Sequence, residues 1–411
     1  MIALSKDRLA TTPTRMYICI SDKAKFKVLT SDYDVLIIGA GPAGCACALS
    51  LHDSGLRVGL IDKEKFPRDK ICGDAIPGQT FTAMDRINPL WGQALRGYAE
   101  KEGIHTSEIF APNGKTITLK WKMQAYNSMR INFDYFLRNL VNTETTATVL
   151  GKKRLTQIDF KPDHVTCGFS DGSILTTGIV IGCDGANSVV ARQSGGNASF
   201  KDHSSAAVRA YFSSVSGTKQ GVNEFHLFKE LPGYFWIFPL ENGLSNVGFG
   251  ISGSYIRKNS RAINLRNSLN EIITNDPGLS TRFKNADLIG EIKGFGLPVW
   301  KTKRALSGKR FMLCGDAASL IDPLQGHGID KSVWSGLFAA EQVKKCFNAN
   351  DFTAEYMSQY DQTLYKKFRL ELARSSFILK IITRFPWLIN AFVRLSANQK
   401  LINWMVRKLK I

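Results

Sequence analysis

Three glycines and an aspartate near the start of the chain have the spacing of a dinucleotide-binding turn. Gly39, Gly41 and Gly44 follow the apolar run at residues 34–38, and Asp62 lies 18 residues beyond the last glycine. The first glycine permits a tight turn, the second lets the backbone approach a pyrophosphate, and the third allows close packing of a helix on a strand. The acid would accept hydrogen bonds from ribose hydroxyls. The pattern predicts a dinucleotide site, but it does not separate NAD from FAD.

A second group of residues with chemical potential lies mid-chain, in the stretch YFWIFPLENGLSNVGFG that begins at Tyr234. On a β-strand, Tyr234, Trp236 and Phe238 share one face, whereas Phe235 and Ile237 point to the other side. Aromatic ring faces stabilise positive charge by about 0.5–2 kcal/mol each, and they also bury apolar surface. The stretch is therefore typical either of a core strand or of one wall of a pocket for an unsaturated, apolar molecule.

The elements that must position these residues follow from hydrophobic periodicity. The runs DVLII and RVGLID predict buried parallel strands, and the Ala- and Leu-rich segment between them predicts a helix that ends at Gly55. The pattern of residues 65–130 is irregular, and RINFDYFLRNLV predicts an amphipathic helix. A hairpin is expected at Asp171–Gly172, followed by a strand-rich region with one helical interlude at 257–275. KRFMLCGDAASLIDPLQGHGID predicts a strand, a turn and a helix, and the chain from Thr353 onward is expected to be helical.

Composition limits the class of protein. The 411 residues are 44% hydrophobic and 10% aromatic, which indicates a globular chain of enzyme size. The net charge of +19 favours anionic partners such as phosphorylated cofactors or anionic lipid. We find no sequence signature of nucleic-acid binding and no metal-ligand spacing, so we predict neither partner. The eight scattered cysteines indicate reduced thiols in a cytoplasmic protein.

Both ends of the chain are basic. Residues 1–30 lack a hydrophobic run of signal-peptide length, which leaves open a disordered leader, a transit peptide, or a start assigned upstream of Met16. The sequence contains no uninterrupted run of ~20 apolar residues, so we predict no transmembrane helix. The C-terminal stretch has no acid after Glu371 and interleaves cations with large apolar residues. This predicts either a peripheral contact with an anionic membrane surface or a helical cap with a solvated basic face.

Two distant segments decide between the cofactors. IGCDGANSVVARQ places Asp184–Gly185 after a strand, and FMLCGDAASLIDPLQGHGID places Gly315–Asp316 after another. Together with the first glycine turn, these two segments have the order and spacing of the cofactor-binding segments in para-hydroxybenzoate hydroxylase and its relatives. The chain therefore resembles that flavoprotein fold. The resemblance covers residues 31–345 and implies FAD as the cofactor.

The same resemblance assigns cofactor-binding residues. Arg130 lies beside the cofactor, Asp184 belongs to the second dinucleotide motif, and Asp316 binds the ribityl chain. A helix that begins near Gly326–Gly328 would aim its N-terminus at the N1–C2 edge of the flavin, where reduced flavin carries negative charge. The full set implied is Gly39, Gly41, Ala43, Gly44, Asp62, Lys63, Cys72, Gly73, Arg130, Asp184, Gly185, Gly315, Asp316, Gly326, Gly328 and Ile329.

The aromatic stretch suggests the reaction. Its Tyr-x-Trp-x-Phe-Pro, eight residues and Gly-x-Gly resemble the motif of geranylgeranyl reductases, flavoenzymes that saturate isoprenoid chains. KICGD and PLQGHGI resemble two other segments of that family, with Gln325 and His327 as departures. Flavin-dependent halogenases carry the related Trp-x-Trp-x-Ile-Pro, from which Tyr234 and Phe238 depart.

These observations predict an FAD-dependent oxidoreductase that reduces a C=C bond of a prenyl or related lipid, with NADPH or NADH as electron donor. Because an isolated C=C bond is not electrophilic, positive charge must develop as a proton is added, and ring faces would stabilise it. Tyr234, Trp236 and Cys72 are predicted to be catalytic, and Phe238 completes the substrate pocket. Cys72 either relays a proton, shapes the pocket, or is only a small hydrophobic residue. The alternatives are an FAD-dependent monooxygenase of an apolar or aromatic substrate and a non-catalytic membrane adaptor.

The predicted fold class is α/β, with an FAD-binding Rossmann-like domain interleaved with a β-sheet substrate domain and followed by a helical C-terminus. The FAD-binding domain is expected to comprise residues 31–95, 130–200 and 301–345. The substrate-binding domain is expected to comprise residues 96–129 and 201–300. Residues 1–30 are the leader, and residues 346–411 form the basic amphipathic C-terminal region.

Overall fold

The computed structural model describes residues 31–195, 205–228, 233–253, 255, 264–385 and 387–388. The predicted leader, part of the predicted helix at 257–275, and the end of the basic C-terminal region lie outside the described residues. The strands are β1 (Tyr33–Ile38), β2 (Val58–Ile61), β3 (Ala75–Ile76), β4 (Glu102–Phe110), β5 (Thr116–Asn127), β6 (Thr148–Leu150), β7 (Leu155–Phe160), β8 (Val165–Phe169), β9 (Ile174–Gly182), β10 (Ser205–Ser213), β11 (Val222–Leu227), β12 (Gly233–Pro239), β13 (Leu244–Ser252), β14 (Asp287–Leu297), β15 (Ser307–Gly308) and β16 (Phe311–Leu313). The α-helices are α1 (Pro42–Ser50), α2 (Gly78–Ile87), α3 (Pro89–Gly97), α4 (Arg130–Glu144), α5 (Val189–Gln193), α6 (Leu265–Asn275), α7 (Ser280–Phe283), α8 (Ile329–Ala349) and α9 (Ala354–Arg384).

A mainly parallel sheet carries the glycine turn. Its strand order is β15-β16-β9-β1-β2-β6, with the β7–β8 hairpin attached to β9. The apolar run of β1 lies between β2 and β9, both parallel to it, and is buried on both faces, as the sequence predicts. Helix α8 packs against α1 so closely that a Cβ on Gly336 would lie 2.2 Å from the carbonyl oxygen of Ala43. This contact holds the first turn of α1 at the carboxyl end of β1.

A second sheet carries the aromatic stretch. Its strand order is β14-β10-β13-β12-β11-β4-β5-β3, and its pairs are antiparallel except β11 with β4. One face packs on α6 and α7 to form a hydrophobic core that includes Phe235, Ile237 and Phe249. The opposite face lines a large cavity. The sheet therefore separates a core side from a ligand-accessible side, as the period of two in the sequence requires.

Residues 65–130 are more regular than the sequence pattern indicated. They contain α2, α3, β4 and β5, and β4 takes its parallel partner from β11, more than 100 residues along the chain. Strand β5 has a period-two alternation of polar and apolar residues, TITLKWKM, which the sequence analysis overlooked, although most of its side chains are exposed or half-buried. Helix α1 ends at Ser50, before the predicted end at Gly55, and a turn follows. Within the described residues, no helix combines the length and apolar character needed to cross a bilayer.

Candidate active site

The glycine turn has the shape of a phosphate cradle. Gly39 has φ +106°, and a Cβ there would lie 2.2 Å from the carbonyl oxygen of Cys183. A Cβ on Gly44 would lie 1.8 Å from the carbonyl oxygen of Gly39. Both glycines are therefore required by the fold itself. At Gly41, by contrast, a Cβ would meet only Arg68 Nη2, at 3.6 Å, so the fold leaves this space open.

The N-terminus of α1 faces that open space. Gly41 is its N-cap and provides no side-chain hydrogen bond, so the first N–H groups and the positive end of the helix dipole remain available to an anion. Gly41, Ala43 and Lys63 line the cavity at this point. The residues present thus fit the pyrophosphate of FAD.

Asp62 lies at the end of β2 with its carboxylate held in place. Its Oδ2 accepts the N–H of Ala40 at 2.8 Å, and its Oδ1 accepts the N–H of Glu64 at 2.9 Å. Each carboxylate oxygen retains acceptor capacity, so ribose hydroxyls can still bind here. The structure therefore places Asp62 beside Gly41, in the position that a ribose-binding acid needs.

Two arginines share one buried carboxylate beside the cradle. Arg130 binds Asp134 through two hydrogen bonds of 2.7 and 2.8 Å, and Arg68 Nη1 lies 2.9 Å from Asp134 Oδ2. Burial lowers the pKa of Arg130, but Asp134 and Cys72 raise it more, so the guanidinium stays charged. Two cations against one anion leave a positive charge in excess next to Gly41, which favours phosphate. The sequence analysis missed Arg68 and Asp134, although the Arg130–Asp134 spacing of four residues on a helix is a readable signal.

The second and third dinucleotide segments also reach the cavity. Asp184 accepts the N–H groups of Val189 and Val190 at 2.6 and 3.3 Å and so caps α5, and burial raises its pKa. Gly185, with φ +77°, lines the cavity next to it. Asp316 lines the cavity with Lys70 Nζ 3.9 Å from its carboxylate.

The neighbouring Gly315 has φ +56°, and a Cβ there would lie 2.7 Å from Ser332 Oγ. This glycine is therefore needed for the packing of the turn that carries Asp316 against α8. The structure thus brings all three predicted dinucleotide segments to one cavity.

The turn of residues 322–328 presents the N-terminus of α8. The fully buried Asp322 organises it by accepting the N–H groups of Leu324 and Gln325 at 2.9 and 2.8 Å. Ser375 of α9 donates to the same carboxylate at 2.7 Å. The sequence analysis missed Asp322, although the pair Asp322–Pro323 is a recognisable turn signal.

Helix α8 begins at Ile329, and its N-cap Gly328 makes no side-chain hydrogen bond, so its first N–H groups remain available. Gly326 has φ +73° in the same turn. This arrangement matches the expected dipole at the edge of a flavin ring.

Tyr234, Trp236 and Phe238, here called the aromatic wall, line the cavity side of β12. Consecutive ring centroids are 5.9 and 6.0 Å apart, whereas Phe235 and Ile237 are fully buried in the core behind them. The predicted division of faces is confirmed.

The Gly-x-Gly of the motif has a structural reason. Gly248 is the cross-strand partner of Trp236, and a Cβ there would lie 2.1 Å from the indole ring and 2.5 Å from the carbonyl oxygen of Val208. Only glycine lets the indole lie flat over β13. The spacing between the aromatic residues and the glycines is thus set by strand pairing.

Tyr234 joins the aromatic wall to the cofactor end of the cavity. Its hydroxyl donates to the carbonyl oxygen of Gln325 at 2.7 Å, within the turn of residues 322–328. Burial raises the pKa of Tyr234, with smaller contributions from Asp322 and Cys72. The phenol is therefore neutral, and its hydroxyl is already used as a hydrogen-bond donor to Gln325. The ring face is the part of Tyr234 that can contact a ligand.

A buried polar network, which the sequence analysis missed, holds Trp236. Its indole N–H donates to Asn246 Oδ1 at 2.9 Å, and Asn246 Nδ2 donates to Asp74 Oδ2 at 2.8 Å and to the carbonyl oxygen of Cys72 at 2.9 Å. Tyr211 also donates to Asp74 Oδ2, at 2.8 Å. The indole orientation and the loop of Cys72 are thus fixed by one set of hydrogen bonds.

Cys72 and Gly73 lie on that loop, against the aromatic wall. Cys72 is half-buried, lines the cavity and interacts with the guanidinium of Arg130. A Cβ on Gly73 would lie 3.4 Å from the ring of Phe238 and 3.6 Å from Trp236 Nε1. The loop therefore bridges the cofactor-side arginine and the substrate-side rings.

The titration of Asp74 gives a testable stability effect. Burial raises its pKa to about 6 although hydrogen bonds from Asn246 and Tyr211 lower it. The folded chain therefore keeps this proton to higher pH than the unfolded chain, and the contribution of Asp74 to the free energy of unfolding falls by roughly 2 kcal/mol between about pH 4 and pH 6. Asp74→Asn removes this titration. We expect the free energy of unfolding of Asp74→Asn, minus that of the wild type, to rise by ~2 kcal/mol from pH 4 to pH 7 in urea titrations. A difference that is constant with pH would contradict the assignment.

One cavity of about 3330 Å³ joins these parts. Ligand pockets usually measure about 300–1,000 Å³, so this space can hold a dinucleotide together with a long second molecule. Beyond the aromatic wall, α9 contributes an apolar side formed by Ile378, Leu379 and Ile382. The site therefore combines a cofactor cradle, a ring-lined centre and an apolar extension.

Comparison with known proteins identifies a family model, related reductases and a solved structure that are similar to this chain. Residues 32–338 match the family model described as an FAD binding domain. The chain is 30% identical over 348 residues to a digeranylgeranylglycerophospholipid reductase of Methanoculleus marisnigri, which covers 81% of this chain and 82% of the relative. It is 27% identical over 374 residues to a menaquinone reductase of Mycolicibacterium smegmatis, which covers 86% and 85%. A solved geranylgeranyl bacteriochlorophyll reductase-like protein from Thermoplasma acidophilum has the same fold, with a TM-score of 0.76 and 24% identity over 89% of this chain and 91% of that chain.

Proposed function

The chain belongs to the FAD-binding flavoproteins of the geranylgeranyl reductase family and is an FAD-dependent oxidoreductase, and from this premise we propose that it reduces C=C bonds of a prenyl-bearing lipid. The observation that carries the proposal is the aromatic wall, which lies in the same cavity as the glycine turn and is hydrogen-bonded, from Tyr234 to Gln325, to the turn of residues 322–328. The apolar side of the cavity formed by α9 suits a polyprenyl chain, since each Å² of buried apolar surface contributes ~25 cal/mol.

The residues of the chain have distinct parts in this reaction. FAD, when bound and reduced, supplies the hydride. Protonation of an isolated C=C bond creates positive charge on the carbon that accepts the hydride, and the ring faces of Tyr234 and Trp236 stabilise that charge. Because hydrogen bonds to Gln325 and Asn246 hold both rings, their faces need not reorganise during the reaction.

The proton is assigned in this proposal to Cys72. Its thiol lines the cavity between Arg130 and the aromatic wall, on the loop that Asn246 clamps. The thiol proton adds to one carbon, the hydride adds to the other, and solvent reprotonates the sulfur. NADPH or NADH is the proposed source of the electrons that reduce the flavin again.

Anaerobic turnover tests this function. The FAD-loaded protein, reduced with dithionite, is mixed with a digeranylgeranylglycerol phospholipid or with menaquinone, and flavin reoxidation and product mass are followed. We expect reoxidation without oxygen and a gain of two mass units per turnover, located in the prenyl chain and not in a quinol ring, with at least one of the two lipids. Anaerobic mixing of the oxidised protein with NADPH or NADH tests the donor in the same apparatus.

The monooxygenase alternative predicts a different outcome. If the flavin stays reduced until O₂ is admitted and an oxygen atom then appears in an organic product, the chain is a monooxygenase. Product formation without oxygen incorporation is therefore the criterion for the reductase.

A further inference from the structure

The second half of α9 presents large apolar side chains on both of its sides. Ile378, Leu379 and Ile382 line the cavity. On the outside, Leu370 and Phe377 are 62% and 64% exposed. They lie seven residues apart, which places them on one stripe of the helix. This segment is at once a wall of the cavity and an outer surface of the protein.

Two more exposed aromatic side chains follow the end of the helix. Phe385 and Trp387 are 46% and 64% exposed. Four of the ten large apolar side chains that are exposed among the described residues thus fall within residues 370–387. Scattered exposed apolar residues are ordinary, but a concentration of this kind marks an interaction surface.

The cations of this segment indicate the partner. Lys366, Arg369, Lys380 and Arg384 are all exposed, and the sequence from 372 to 388 contains no aspartate or glutamate. Arg384 lies over the ring of Phe385, at 6.0 Å from its centroid. Aromatic rings beside cations that form no ion pair within the described part of the chain suit the headgroup layer of an anionic bilayer, where the rings enter the interface and the cations meet lipid phosphates.

We propose that the α9 outer face, defined by Leu370, Phe377, Lys380, Arg384, Phe385 and Trp387, docks on the surface of an anionic lipid bilayer. In that orientation the apolar cavity wall formed by Ile378 and Ile382 lies directly behind the docked surface, so that a membrane lipid has a short path into the cavity. The docking itself depends only on exposure and charge, and is therefore measurable without turnover.

Vesicle sedimentation tests the proposal with the full FAD-loaded chain. Vesicles of phosphatidylcholine with phosphatidylglycerol, and vesicles of phosphatidylcholine alone, serve as probes. We expect binding to the anionic vesicles that weakens as salt is raised, and weak binding to the neutral ones. Lys380→Gln with Arg384→Gln should weaken binding to anionic vesicles by about 30-fold, and Phe377→Ser with Trp387→Ser by at least about tenfold.

Matched variants elsewhere on the surface serve as controls. Lys161→Gln with Lys219→Gln removes the same charge, and Leu90→Ser with Ile174→Ser removes equally exposed apolar side chains. Both control pairs should bind within about threefold of the wild type. FAD content shows that each variant is folded.

Two kinds of result would overturn the proposal. One is equal loss of binding in the control and α9 variants, or no binding by the wild type, since the α9 outer face would then not be a membrane surface. The other is a self-associated wild type that Phe377→Ser with Trp387→Ser makes monomeric in the absence of lipid, which would assign this face to a second copy of the chain. Neither result bears on C=C reduction, so the two proposals fail separately.

Discussion

Replacing Trp236 with alanine is expected to reduce the rate of C=C reduction by about 100-fold while FAD remains bound. The change removes a ring face worth about 0.5–2 kcal/mol towards a developing cation. It also leaves the buried amide oxygen of Asn246 without its donor, which costs about 1–3 kcal/mol and loosens the loop of Cys72. The two contributions sum to about 1.5–5 kcal/mol, and since each 1.36 kcal/mol changes a rate tenfold, the middle of this range corresponds to roughly two orders of magnitude. Single-turnover flavin reoxidation measures the effect, and flavin absorbance per chain reports the bound FAD.

Trp236→Phe separates the two contributions. It keeps a ring on the wall but removes the indole N–H, so we expect a loss of about tenfold and not 100-fold. If the phenylalanine variant is as slow as the alanine variant, the hydrogen bond to Asn246 dominates and the ring face does not. Full activity of Trp236→Ala would remove the aromatic wall from the reaction altogether.

Replacing Gly41 with alanine is expected to weaken FAD binding by at least about 100-fold without unfolding the protein. Around a Cβ at this position, the nearest atom of the chain is Arg68 Nη2, at an ordinary contact distance of 3.6 Å. The methyl group therefore fits the protein but occupies the space that the pyrophosphate needs. Titration of the apoprotein with FAD gives the affinity, and thermal unfolding without FAD gives the stability.

Gly44→Ala is the matched variant for this test. Its Cβ would lie 1.8 Å from the carbonyl oxygen of Gly39, so the strand, turn and helix must move apart. We expect a lower unfolding temperature even without FAD, in contrast to Gly41→Ala. Unchanged FAD affinity in Gly41→Ala would place the pyrophosphate elsewhere.

The fold was predictable where the information is local. Parallel strands buried on both faces appear as short apolar runs, and the turns between strand and helix appear as glycines with positive φ or close backbone contacts. The parallel pairing of β4 with β11 was not predictable, because the two strands lie far apart along the chain. Strand β5, in contrast, carries a readable polar/apolar alternation, TITLKWKM, that the sequence analysis did not use.

The candidate site shows the same division. The sequence by itself determined the glycine cradle, Asp62 and the division of faces in the aromatic wall, because a turn conformation and a period of two depend only on neighbouring residues. Only the tertiary structure decided that Asn246 bonds Asp74, 172 residues away, and that Arg68 and Arg130 share Asp134. The tertiary structure also determined that α9 contributes to the lining of the cavity. Such contacts depend on which distant side chains the folded chain brings together, and the spacing of residues along the sequence does not show this. Burial then strengthens the hydrogen bonds and charge interactions between them.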